Sequence, residues 1–203
     1  MNIRRNIVFT IALLILAIGV AVFLATGMQS LLYAPQDPEV RVPATSTATA
    51  DLPPGSRPGR LMIPALNIDA FIEEVGVNGK GNMATPSKYA DVAWYKFGTI
   101  PGETGSAVMA GHVDNGLALD GVFKHLEDLH VGDDLYVTMK TGERLHFKVS
   151  DIRSYPYDKV PTEELFNKND AARLNLVTCV GSWLKSEKTY DERLIVYTIL
   201  QDN

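Results

Sequence analysis

The sequence predicts an all-β domain carried behind an apolar helix, and three observations predict it. Between residues 61 and 203, short alternating or continuous apolar stretches recur, separated by Gly, Asn and Asp. That is the pattern of many short strands, closed into a barrel or stacked as a sandwich. Helical signals in the same region are confined to two short stretches. Ahead of it, Asn6 to Gln36 contains no charged residue at all.

Taken in order, Ile7 to Leu24, IVFTIALLILAIGVAVFL, is nearly unbroken hydrocarbon. As a helix it would span about 27 Å, close to the thickness of a bilayer core. Arg4 and Arg5 precede it and the next basic residue is Arg41, so the positive-inside rule keeps the N-terminus cytoplasmic and places the rest outside. A cleaved signal peptide is the alternative, but the run is long and Ala25-Thr26-Gly27 is a poor small-x-small cleavage site. Residues 1–30 are therefore expected to be a cytoplasmic end and transmembrane anchor. Residues 31–60 are rich in Pro, Ser, Thr and Ala with few large apolar groups, the composition of a disordered tether. The catalytic or binding domain is then 61–203, extracellular and single-pass anchored to the cell membrane.

Within the domain, Leu61-Met62-Ile63 opens a strand and residues 67–72 alternate as a half-buried strand does. Ser106 to Ala110 is a short apolar run stopped by Gly111. Asp134 to Lys140 and Arg144 to Asp151 flank Thr141-Gly142-Glu143, a hairpin signal. In the second of these, Leu145, Phe147 and Val149 share one face, and Arg144, His146 and Lys148 the other. Leu174 to Cys179 and Arg193 to Leu200 complete the series, with a polar loop from Gly181 to Glu192 between them. Residues 162–166 and 123–129 read as short helices.

Charge excludes one class of function. Residues 61–203 hold 14 basic and 21 acidic side chains, a net of −7, and no basic face that would bind nucleic acid. No acidic cluster has calcium-ligand spacing, so neither a metal nor another cofactor is expected.

Cys179 is the single cysteine. Outside the cell it has no disulfide partner within the chain, which leaves a packing atom or a reactive thiol. A reactive thiol needs a proton-transfer partner, usually histidine. His146 lies on the polar face of its strand, and His125 and His130 fall off the apolar face of Phe123, Leu126 and Leu129. His112 follows an apolar strand and a glycine, a placement that delivers a side chain at a strand's end. In the cysteine strand, Leu174 and Leu176 share one face, while Asn175, Val177 and Cys179 share the other. Cys179 is thus expected on the outward, less apolar face. Arg193 opens the next strand, where a guanidinium could lower the thiol's pKa and hold an oxyanion.

These residues resemble a known family. Leu176-Val177-Thr178-Cys179 resembles the TLxTC signature of sortases, Gly111-His112 their histidine loop, and Arg193-Leu194-Ile195-Val196 the strand bearing their arginine. Ile63-Pro64-Ala65-Leu66-Asn67-Ile68-Asp69 is similar to the family's first strand, so the likeness covers 61–203 in order. It implies a closed eight-stranded β-barrel and a cysteine transpeptidase. Such an enzyme cuts a sorting signal such as LPxTG in surface proteins and passes the acyl group to an amine, for instance on a cell-wall precursor. Cys179 would be the nucleophile, His112 the acid and base, and Arg193 the holder of the substrate carbonyl, with Thr178 touching substrate and Trp94 a groove wall. GHVD and VPTEELF resemble class F sortases, although Val180 stands where that class often carries glycine. Asp37-Pro38 is followed by Glu39, unlike the Asp-Pro-aromatic lid of pilin-building sortases, and no second anchor follows the domain. Anchoring of single proteins is expected rather than pilus assembly. Val42-Pro43-Ala44-Thr45-Ser46 resembles a degenerate LPxTG and suggests a tether that visits the groove as a pseudosubstrate. Two other functions fit the same barrel: a thiol hydrolase that releases its product to water, and a non-catalytic module that binds cell-wall material.

Overall fold

The computed structural model describes residues 11–23, 40–43, 54–114 and 119–202. The chain divides into two compact units, Met1–Pro35 and Gln36–Asn203. In the first, residues 11–23 are helical, and side chains such as Leu14, Ile15, Leu16 and Phe23 are more than half exposed. Among the described residues no helix is long and apolar enough to cross a membrane. The rest of the expected span, residues 7–10 and 24, lies outside the described residues.

The second unit is a closed barrel of eight strands: β1 (Pro58–Ile63), β2 (Ile68–Val75), β3 (Val92–Tyr95), β4 (Gly105–Ala110), β5 (Asp134–Met139), β6 (Arg144–Pro156), β7 (Ala172–Leu184) and β8 (Thr189–Leu200). Around the barrel they run β1-β2-β3-β4-β7-β8-β6-β5, with β5 closing on β1. Two neighbouring pairs, β2–β3 and β4–β7, are parallel. Parallel neighbours need a crossover rather than a tight turn. The loop 76–91 supplies one, and everything between β4 and β7 supplies the other.

Alternation fills the barrel. Leu61, Ile63, Trp94, Met109, Leu135, Phe147, Leu174, Leu176, Leu194 and Val196 form one continuous interior cluster. The expected hairpin forms, with Leu135 opposite Phe147 and Val137 opposite Leu145. The arms of the second expected pair reach further than the apolar runs suggest. β7 and β8 continue as a ladder to Leu184 and Thr189, interrupted by a bulge between Val180 and Trp183, so most of the expected polar loop is strand. The expected helix at 123–129 is reduced to a 3-10 turn, Leu126–Asp128, whereas Thr162–Asn167 is a true helical turn. β3 gives no alternation signal because all four of its residues are buried. Val92 and Trp94 face inward, while Ala93 and Tyr95 enter a second cluster outside.

That second cluster corrects the expectation of a less apolar outward face. Val108, Ala110, Val177, Ile195 and Tyr197 project outward from β4, β7 and β8 and are roofed by Leu165 and Phe166 of the short helix and by Met83 and Val40. Asn175, fully buried, donates to the Leu165 carbonyl at 2.7 Å and pins the helix in place. Val40 is only 2% exposed; the Met83 amide donates to its carbonyl at 3.0 Å, and Val42 donates to Gly81 at 3.3 Å. The tether expected over 31–60 is therefore structured at 40–43 and again from β1 onward, because Val40 finds an apolar seat. Ala44 to Ser46 of the supposed pseudosubstrate lie outside the described residues.

Candidate active site

The site is built where β4, β7 and β8 reach one rim of the barrel. Cys179 stands directly opposite Arg193 in the β7–β8 ladder, and both take the outward parity of Val177 and Ile195. In β4, Ala110 pairs with Val177 in parallel register. The Gly111 amide then donates to the Val177 carbonyl at 3.1 Å, and the Thr178 hydroxyl donates to the Gly111 carbonyl at 2.9 Å. Those two bonds hold the next residue on each strand, His112 and Cys179, at the same rim. Glycine is required at position 111, since a Cβ there would come within 2.5 Å of Phe123.

Cys179 is 3% exposed and not in a disulfide. His112 is 7% exposed. Its Nε2 lies 3.2 Å from the Pro86 carbonyl, and its ring is 5.0 Å from that of Tyr89. A carbonyl only accepts, so Nε2 carries a proton and Nδ1 is the nitrogen left to exchange one. Phe123 donates to the His112 carbonyl at 2.9 Å, which fixes the backbone from the other side. The crossover loop, through Pro86 and Tyr89, thus orients the imidazole.

Arg193 is fully buried. Its Nη1 donates to the carbonyls of Tyr190 and Glu192, each at 3.0 Å, and its Nη2 donates to the Thr189 hydroxyl at 2.8 Å. Nε is buried and has no hydrogen-bond partner among the described residues. Buried donors are almost always satisfied, so this N–H is an exception among the buried polar groups. The guanidinium also lies 5.9 Å from the Tyr157 ring centroid. Tyr157 also lines a polar recess of about 430 Å³ shared with Arg41, Lys80, Asn82, Asp158 and Thr162. Nearby, burial first and then the hydrogen bond shared with Tyr155 push the Tyr197 phenol up, so it stays neutral.

The structure thus brings His112, Cys179 and Arg193 to one rim. Thr178 is also there, but it is fully buried with its hydroxyl tied to Gly111; it joins strands rather than presenting a surface to substrate. Trp94 is corrected outright: it is 0% exposed inside the barrel, with Nε1 donating to the Thr99 carbonyl at 3.3 Å. Its inward parity in β3 removes it from any groove. The remaining histidines lie on the surface as expected. His146 bonds Asp134 at 2.7 Å and stacks on Tyr136, and His125 pairs with Asp128 at 3.3 Å. Among the described residues no group of three or more His, Cys, Asp or Glu is placed to hold a metal. Pro86, Tyr89, Tyr157 and Tyr190 were not anticipated, and nothing local in the sequence marks them.

A thiol, an imidazole and an arginine gathered on the outside of a closed barrel form the equipment of a thiol-dependent acyl-transfer enzyme. The family model described as Sortase domain matches residues 61–201, and the chain belongs to the sortase family, whose members are cysteine transpeptidases. Solved structures share the fold. A Corynebacterium diphtheriae sortase A lid mutant is 22% identical, with 76% of this chain and 74% of that one covered at a TM-score of 0.57. Streptococcus agalactiae sortase C1 in complex with MTSET is 23% identical over 71% and 69%, at 0.56. A Clostridium perfringens sortase D5 transpeptidase is 21% identical over 70% and 78%, at 0.53. No curated protein matches the chain.

Proposed function

We propose that this protein is a membrane-anchored sortase of class F type, which cuts an LPxTG-like sorting signal and joins the acyl group to an amine at the cell surface. The observation that carries the reading is the Cys179–Arg193 ladder pair, with His112 held at the same rim by Gly111 and Thr178. The thiolate of Cys179 attacks the carbonyl carbon before the scissile bond, and a C–S bond forms as negative charge collects on the oxygen. The Nε–H of Arg193, otherwise unpartnered, donates to that oxygen. His112 gives its proton to the departing amine, the C–N bond breaks, and a thioester remains. The incoming amine attacks the thioester, His112 takes the amine's proton, and the C–S bond breaks to release product and thiolate. The recess beside Tyr157 receives part of the signal peptide.

Class F membership rests on GHVD and VPTEELF. Membrane anchoring and an extracellular domain rest on the charge-free run after Arg4 and Arg5 and on the exposed apolar side chains of residues 11–23. The partners are surface proteins with a C-terminal sorting signal and an amine acceptor such as a cell-wall precursor.

The deciding experiment mixes the full chain, in detergent, with a library of sorting-signal peptides and a glycine acceptor, followed by mass spectrometry. An acyl group on Cys179 and a peptide–glycine product are expected. Product formed equally well by Cys179→Ala would sink the proposal; release of free acid in place of the glycine adduct would favour the hydrolase.

A further inference from the structure

Tyr190 holds one arm of the site with its backbone and another with its side chain. Its carbonyl accepts from Arg193 Nη1 at 3.0 Å. Its phenol donates a hydrogen bond to Asp114 Oδ2, a residue 76 positions away and two beyond His112. The ring is braced by Trp183, edge-on at 5.4 Å and directly opposite in the ladder. That pairing exists only because of the bulge after Val180. Gly181 takes φ +86° there, and a Cβ would meet Asp191 at 2.1 Å. Asp191 in turn accepts from the Ser182 amide at 2.7 Å. The bulge thus aims Tyr190 across the rim at the histidine loop.

The described ends of the loop are held to one another. Gly121 donates to the Val113 carbonyl at 3.0 Å, and Asp114 is bridged to Asp120. The β4–β7 ladder ends at Ala110 and Val177. Past it, the Gly111 and Thr178 bonds tie β7 to the strand end, and the phenol–carboxylate bond ties the tip of the β7–β8 hairpin to the loop. A hydrogen bond to a carboxylate is roughly twice as strong as one between neutral groups.

We propose that Tyr190 and Asp114 form a latch that sets the distance between His112 and the Cys179–Arg193 pair. They are positioning residues, acting through His112, Cys179 and Arg193, the groups that carry the chemistry. The inference rests on His112, Cys179 and Arg193 being the reacting groups, as read above. In a reaction that needs acid, nucleophile and oxyanion donor aligned at once, a displacement of about an ångström costs one to two orders of magnitude in turnover.

The test uses the full chain in detergent with one sorting-signal peptide and a glycine acceptor, reading kcat and KM separately. Tyr190→Phe keeps the ring against Trp183 and deletes only the donor. It is expected to lower kcat about tenfold while KM stays within about twofold. Asp114→Ala should fall equally, and the double variant should be no slower than either single one. Asp114→Asn, whose amide oxygen still accepts from the phenol, should recover most of the rate lost in Asp114→Ala. If Tyr190→Phe proves less stable to heat, the Asp114→Ala and Asp114→Asn pair alone carries the test. Tyr190→Phe at full kcat, losses that multiply in the double variant, or no recovery with Asn would each overturn the latch. Cys179→Ala runs alongside: if it still forms product, the reading of the site fails, whereas a dead Cys179→Ala beside a fully active Tyr190→Phe removes only the latch.

Discussion

The two faces of the barrel wall are both apolar, yet they are built differently. The inner face is filled mostly by the strands' own side chains, Leu176, Met109 and Trp94 among them, joined by Ile100, Phe123, Leu126 and Leu129 from the connections. The outer face of β4, β7 and β8 is equally greasy, but its cover comes from elsewhere in the chain: Val40, Met83, Leu165 and Phe166. Buried polar groups gather on the outer side and at its rim. Asn175, His112 and Arg193 are there, each with a ring or chain atom left without a protein partner or held by a loop carbonyl. An interior filled by regular strands gives stability. The roofed outer face carries Cys179, His112 and Arg193 at its rim.

Four perturbations test that contrast. The largest effect is expected at Arg193. Lysine keeps the charge but has no planar fork and no Nε donor, so Arg193→Lys should lower kcat by about two to three orders of magnitude in the fraction that remains folded. Near-normal kcat would move the oxyanion donor elsewhere. On the inner face the reverse is expected. Leu176→Ala, at a fully buried position, should cost about 2–5 kcal/mol in a denaturant titration, while the protein that remains folded keeps its turnover. A folded but inactive Leu176→Ala would show that the two faces are not separable.

Thr178→Val belongs to both faces. It has the inward parity of Leu174 and Leu176, but its hydroxyl bonds Gly111 at the rim. Leaving that carbonyl unpaired should cost about 1–2 kcal/mol and lower kcat several-fold; stability lost without any rate change would detach Thr178 from the site.

The smallest effect is expected from Glu74, on β2, which pairs with Arg57 at 3.0 Å and Lys140 at 2.9 Å. Burial opposes its ionisation, but Lys140 and Arg57 outweigh that and hold the carboxyl below the usual range. With the folded value depressed, the unfolded state binds more protons, so the stabilisation is present above pH of about 4.3 and is lost as pH falls through the folded value. Glu74→Gln should slightly flatten the fall of melting temperature between pH 5 and 3, and an unchanged slope would count against the pairing.

Much of this was legible in advance, and the gaps have physical causes. Alternation marked β2 and β6, and Thr-Gly-Glu marked the hairpin, because one face of each strand is solvated. β3 carried no such mark because Val92 to Tyr95 is buried on both sides. The order of Gly111-His112, Cys179 and Arg193 was readable, since each has a recognisable neighbour: a glycine before the histidine, Thr178 before the cysteine and an apolar run after the arginine. Trp94 was misplaced because a large aromatic reads the same in a core and in a groove. Val40 was lost in a stretch whose average composition is that of a tether; one valine finding a seat changes no average. Pro86 and Tyr190 reach the site only through contacts distant in sequence, which no local pattern records.

The strand order has a further consequence. The first four strands form one continuous sheet and the last four another, and these halves meet along just two seams, β1 with β5 and β4 with β7. His112 belongs to one half, Cys179 and Arg193 to the other, and all three lie just past the end of the second seam. On the proposed mechanism neither half of the chain holds the chemistry alone, and turnover would then report on whether that seam is shut.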